Sequence, residues 1–178
     1  MLQEFVEAIE RLVHSKICDV HTAIPAEIVE FNQEDCTVDV LPKAKMTTSK
    51  GKQLDYPRIN GVPLVFPCGG GLDSAIVFPV KKGDGCLLIF SEQALDYWRG
   101  NGVTSSEMKF ALSNAIAIPG LFAKPSQDVR EAVNTDSIII KNGANKISLS
   151  KSKIAITGDI ELEGNLTLTG EVKRSQKA

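Results

Sequence analysis

Histidine is scarce in this chain of 178 residues: only His14 and His21 occur, both near the N-terminus. Most hydrolytic mechanisms need a positioned general base, and two histidines at one end leave few ways to supply it. The four cysteines, Cys18, Cys36, Cys68 and Cys86, are widely spaced with no C-x-x-C pair. That excludes a zinc ribbon and a thioredoxin-type motif, and makes reduced, buried thiols the simpler reading. Charge of one sign is also lacking, since 20 Lys and Arg stand against 22 Asp and Glu, with no block of like charges to wrap duplex nucleic acid. No apolar run approaches the roughly 20 residues needed to cross a bilayer. The opening MLQEFVEAIERLV carries Glu4, Glu7, Glu10 and Arg11, which a signal peptide would not. The expectation is a protein made in the cytoplasm without a signal peptide, binding no specific nucleic acid and no cofactor. It is not expected to be an enzyme, because no nucleophile and base pair, paired catalytic carboxylates or metal signature emerges.

What is present can build a core, with 43% hydrophobic and 24% charged residues. Leu2, Phe5, Val6, Ile9, Leu12, Val13, Ile17 and Val20 keep the three-and-four spacing of one helical stripe, which predicts an amphipathic helix over 1–22. An exposed stripe of that length needs a cover: the following domain, a sister copy or a neighbouring protein. Phe5, Ile9, Leu12 and Val13 are its expected docking residues.

After Pro25 the texture becomes β-like. Glu27–Phe31 and Cys36–Leu41 are short alternating or β-branched runs around the turn-forming Asn32-Gln33-Glu34-Asp35, which predicts a hairpin. Pro42–Tyr56 reads as a solvated loop or edge. Val62–Pro67, Ile76–Val80 and Cys86–Phe90, bounded by Gly and Pro, bring the count to roughly five strands between Ala26 and Phe90, that of an OB-like barrel. Ser91–Gly102 is expected to close the barrel as a short helix or turn, with Tyr97 and Trp98 capping the core. Ala111–Phe122, broken by Pro119-Gly120, reads as an irregular segment packed on the barrel, and 124–136 as a polar linker.

The last third carries the clearest periodicity. From Ile154 the chain runs IAITGD, IELEGN, LTLTGE, VK, so Ile154, Ile156, Ile160, Leu162, Leu166, Leu168 and Val172 share one parity, with Gly158, Gly164 and Gly170 once per hexad. Ile147 and Leu149 extend similar chemistry upstream, although parity is lost between Ile140 and Ile147, leaving the register over 137–153 open. Three hexads make about one coil of a single-chain β-helix, too little for neighbouring coils to bury one another. Three copies wound about an axis can seal the stripe. At ~1.5–3 kcal/mol per buried Ile or Leu, this is on the order of 10–20 kcal/mol per chain before entropy is subtracted.

Several local patterns have a plainer reading beside the sharper one. His14, Cys18 and His21 fall near one helical face as metal ligands could, but also as a polar cluster at a helix end. Gly69-Gly70-Gly71 lacks the Lys and Ser/Thr of a phosphate loop and reads as a barrel turn. Gly83-Asp84-Gly85 lacks the further carboxylates of a calcium loop and reads as a hairpin turn. Asp96-Tyr97-Trp98-Arg99 could stack on bases or sugars, but with aromatics at only 6%, core capping is the default. Asn165-Leu166-Thr167 fits a glycosylation pattern that a cytosolic origin makes incidental.

The segments HTAIPAEIVEFNQEDCTVDVLP (21–42), INGVPLVFPCGGG (59–71), IVFPVKKGDGCLLIFSEQALDYWRGNG (76–102) and LSNAIAIPGL (112–121) resemble, in order and spacing, the N-terminal domain of phage membrane-piercing spike proteins from contractile tails. The resemblance spans about His21 to Leu121. It implies a trimeric OB domain followed by an intertwined β-helix, mounted under the hub of a tail baseplate and directed at the bacterial envelope. Such spikes often end in a His-x-His apex that binds iron from three chains; here no histidine follows His21, so a separate tip protein or a blunt polar end would finish the point.

The expected fold is thus all-β with an N-terminal helix: helix 1–22, OB-like barrel 23–123, linker 124–136 and trimeric β-helix 137–178. The expected trimer interface is Ile147, Leu149, Ile154, Ile156, Ile160, Leu162, Leu166, Leu168 and Val172; Phe5, Ile9, Leu12 and Val13 would meet a tail hub protein in the virion baseplate of a phage or related injection particle. The alternative is a trimeric OB-fold module that binds a glycan or nucleic acid.

Overall fold

The computed structural model describes residues 2–18, 20–48, 51–100 and 108–173. Internal contacts divide the chain into two units, Met1–Ala123 and Lys124–Ala178. The first unit opens with helix α1 (Leu2–Cys18), whose Glu4 in the first turn and Lys16 in the last complement the helix dipole. Among the described residues no helix is long and apolar enough to cross a membrane.

Strands β1 (Ala23–Asn32) and β2 (Thr37–Pro42) form the expected hairpin, its turn tightened where the Asn32 side-chain oxygen accepts the Glu34 N–H at 3.0 Å. The stretch read as a loop or edge holds a small hairpin, β3 (Lys45–Thr47) with β4 (Gln53–Asp55), closed by a Lys45–Asp55 ion pair. Then come β5 (Ile59–Pro63), the two-residue strands β6 (Cys68–Gly69) and β7 (Ser74–Ala75), β8 (Gly85–Phe90) and β9 (Ala115–Pro119).

The main sheet is antiparallel with order β5-β2-β1-β8-β9. Register shifts in β1 between Ile28 and Glu30, and in β2 between Val38 and Val40, bend the strands and curl the sheet into a half-barrel. Its outer strands approach each other where Leu64 forms a parallel bridge with Ala117 and the Val65 N–H donates to the Ala117 carbonyl at 3.0 Å. The concave side holds the core: Ile24, Ala26 and Ile28 from β1, Val38 and Val40 from β2, Ile59 and Val62 from β5, Cys86, Leu88 and Phe90 from β8, and Ala115 and Ala117 from β9. Gly85 cannot carry a side chain there, because a Cβ would lie 1.9 Å from the Leu121 carbonyl oxygen.

Three sequence expectations change. The fifth strand of the main sheet is β9, from the segment read as irregular: Pro119-Gly120 ends a strand rather than interrupting one, and small Ala115 and Ala117 face inward where β9 meets Leu64. Ile76–Val80 forms no strand. Tyr97 and Trp98 do not cap the core; they lie in a turn, and Trp98 is 74% exposed. The barrel end is closed instead by Ala94 and by buried Asn114, which accepts the Leu95 N–H at 2.9 Å and donates to the Ser91 and Gln93 carbonyls.

The second unit begins within the supposed linker, where α2 (Gln127–Thr135) starts at Ser126, whose hydroxyl accepts the Val129 N–H at 3.3 Å. Asp136 stops it in a left-handed conformation. A three-stranded antiparallel meander follows, β10 (Ile138–Asn142), β11 (Asn145–Leu149) and β12 (Ile154–Thr157). The hexad reading expected coils advancing in one direction from 137, whereas the chain first doubles back at Gly143-Ala144 and again at Ser150–Lys153. Residues 158–173 make no ladder within the chain.

Candidate functional site

The meander sorts the apolar residues of the second unit onto one side. Ile138 pairs with Leu149, Ile140 with Ile147, Ile147 with Ile156, and Leu149 with Ile154. Cross-strand partners share a face, so these six side chains form one apolar surface. The parity that breaks in the sequence is restored at the turns. Gly143, at φ +60, opens the two-residue turn that keeps Ile138 and Ile140 on the same side as Ile147 and Leu149.

The opposite face is polar and tethered. Lys141 and Lys146 project from it, and Lys141 binds the Asp128 carboxylate at 2.9 and 3.0 Å while Lys146 reaches Glu131 at 2.5 Å, fastening α2 there. A nine-residue helix is marginal alone, and these ion pairs help to hold it. No element of the unit covers the Ile and Leu face: Ile138 is 67% and Ile154 66% exposed.

Ile160, Leu162, Leu166, Leu168 and Val172 carry the parity of Ile154 and Ile156 onward, and all are exposed in the single chain. Gly158 needs to be glycine twice over: its φ is +121, and a Cβ would stand 2.3 Å from the Asn145 side-chain oxygen. The end of the chain read as a blunt polar tip, 174–178, lies outside the described residues.

All nine expected interface residues therefore belong to one apolar series. Ile138 and Ile140 belong to it too and were missed; the signal was the Asn142-Gly143 pair, which marks a hairpin across which parity switches. In the first unit Phe5, Ile9, Leu12 and Val13 are exposed along α1.

The other sharper readings fall elsewhere. His21 packs its ring against Phe90 and Tyr56, at centroid distances of 5.4 and 6.0 Å. The Cys18 side chain lies outside the described residues, and among the described residues no three His, Cys, Asp or Glu are grouped to hold a metal ion. Asp84 closes its own turn by accepting the Lys81 N–H at 2.7 Å. Arg58 donates to Asp39 and Glu30, hydrogen bonds that raise its pKa further and tie three strands together at the surface. Burial pushes the Cys86 thiol up to about 11. Cys36 and Cys68 are exposed, against the expectation of buried thiols. A cleft of about 550 Å³ beside Trp98 and Arg99 is lined also by Asp35, Cys36 and Pro63.

The half-barrel is the part of the chain that matches a known family. The family model of the phage protein Gp138 N-terminal domain matches residues 24–120, more than half of the chain. The chain belongs to that family. Its match runs from β1 to the end of β9, so the Gp138 N-terminal domain corresponds to the curled sheet and its loops, and the apolar face of the second unit lies beyond the matched region. No curated protein matches the chain.

Proposed function

We propose that this chain is a structural part of a phage tail: the central spike of a baseplate, or of a related injection particle, working as a homotrimer. The observation that carries the proposal is the bare apolar series of the second unit, Ile138 to Val172, with α2 tied to the other face of its sheet. Such a surface needs a cover of matching shape, and sister copies supply one. Membership in a phage protein family places the cover in a particle built from repeated copies. The strand order and the Leu64–Ala117 bridge support an OB-like closure of the first unit.

In this reading three tails wind about one axis from Ile154 onward, pairing between chains the backbone groups that have no ladder within one. A narrow prism with paired backbone resists bending, so contraction of the tail drives it as a rigid point into the bacterial envelope. Phe5, Ile9, Leu12 and Val13 of α1 dock on the hub above, and a separate tip protein or the polar end completes the point below. The chain contributes mechanical strength rather than catalysis. The test is the solution mass, expected near three times 19.2 kDa. Leu162→Asp with Leu168→Asp should abolish the trimer and leave particles without a spike; a double variant that remains trimeric refutes the proposal.

A second reading draws on exposed Trp98 at the rim of the 550 Å³ cleft. There the trimer presents glycan-binding clefts, and Trp98→Ala abolishes binding on a glycan array. Absence of any glycan signal from the wild-type trimer removes that reading.

A further inference from the structure

Strands β8 and β9 differ from their neighbours. In β1 and β2 buried residues alternate with polar ones, such as Glu27, Thr37 and Asp39. In β8 and β9 both faces are apolar: Leu88, Phe90 and Ala117 point into the core, while Leu87, Ile89, Ile116 and Ile118 point out, paired as Leu87 with Ile118 and Ile89 with Ile116. Strands apolar on both sides are characteristic of sheets covered on both sides. Here the outer side is open, with Ile89 40% exposed.

The same unit carries a second apolar surface, on the hairpin 65–79 that contains β6 and β7. Gly70, Gly71 and Leu72 are left-handed in succession, with φ of +59, +68 and +79. A leucine in that conformation costs on the order of 1 kcal/mol, and it thrusts the side chain to 79% exposure. Ile76 and Val77 are exposed beside it. The base is anchored by an edge-to-face contact of Phe78 with Phe66, at 5.2 Å.

We propose that the hairpin of one copy packs, through Leu72, Ile76 and Val77, on the outer β8–β9 face of the next copy around the threefold axis. The inference rests on the trimeric reading above. A ring of identical copies joins two different patches of each chain, and this unit displays two. They match in charge: 65–79 contains a single charged residue, Asp73, and the four outward residues of β8 and β9 contain none. Each patch is of the few-hundred-Å² class that marks a contact surface, and one of each, added to the sealed tail stripe, reaches the size of a stable interface.

The test uses the full chain with Leu72→p-benzoylphenylalanine, irradiated in dilute solution and mapped by peptide mass spectrometry. Cross-links between chains to 85–90 or 115–119 are expected. Introducing Ile89→Glu and Ile118→Glu, both at exposed positions, should cut their yield at least tenfold with the circular dichroism unchanged. Cross-links confined to the same chain, to α1 or to other segments, in a species of trimeric mass, overturn the hairpin contact and leave the spike reading standing, as does a yield that survives the double substitution. A monomeric mass overturns both.

Discussion

Asn114 ties together the backbone at Ser91, Gln93 and Leu95, using its side-chain oxygen and both amide hydrogens. Asn114→Leu fits the volume but leaves a donor and two carbonyls unpartnered at the barrel end, so urea melts of the first unit should show a loss of about 2–4 kcal/mol. Cys86 tests burial through chemistry. With its thiol pushed up to about 11 inside the core, it should resist iodoacetamide at pH 8 while exposed Cys36 and Cys68 react, and a modified Cys86 in native protein would contradict the packing. The sign for stability follows: the folded state retains this proton where the unfolded chain gives it up. Its contribution is complete below the unfolded thiol's pKa and is lost as pH rises from about 9 to about 11, so the melting temperature should fall across that window more in wild type than in Cys86→Ala.

Among the elements, legibility followed periodicity. β1, β2 and β8 were readable because alternating or β-branched runs sit between turn residues, and α1 because its stripe holds the helical period. β9 was hidden because AIAI places the smaller residue inward, a choice made by the nearby Leu64 strand that no local pattern contains. α2 was hidden because only Val129 and Val133 mark a stripe, and its ion pairs come from β10 and β11. The Ile76–Val80 run shows the reverse error: apolar and β-branched, yet without a partner strand. Of the assembly face, the hexads were legible and Ile138 and Ile140 were not, because their side is set by the turn between strands. That turn supplies a prediction. Since Ile138 and Ile140 are exposed in the single chain, Ile138→Asp with Ile140→Asp should leave its circular dichroism intact while weakening association at least tenfold by analytical ultracentrifugation.

For the molecule as a whole, the proposed association is apolar, and its response to conditions is constrained accordingly. Mass action makes the melting temperature of the trimer rise with protein concentration. Raising sodium chloride from 0.05 to 0.5 M, roughly a threefold shortening of the screening length, should not dissociate it, since no ion pair is required across the stripe. Dissociation by salt alone would shift the argument toward charge and away from the Ile and Leu series. The tethering of α2 also has a consequence in the cell. Because the helix occupies the wrong side of the meander to serve as a temporary shield, a newly made polypeptide offers its greasy flank to whatever it meets first. Overproduction at low temperature and slow synthesis should therefore favour correct mating over clumping.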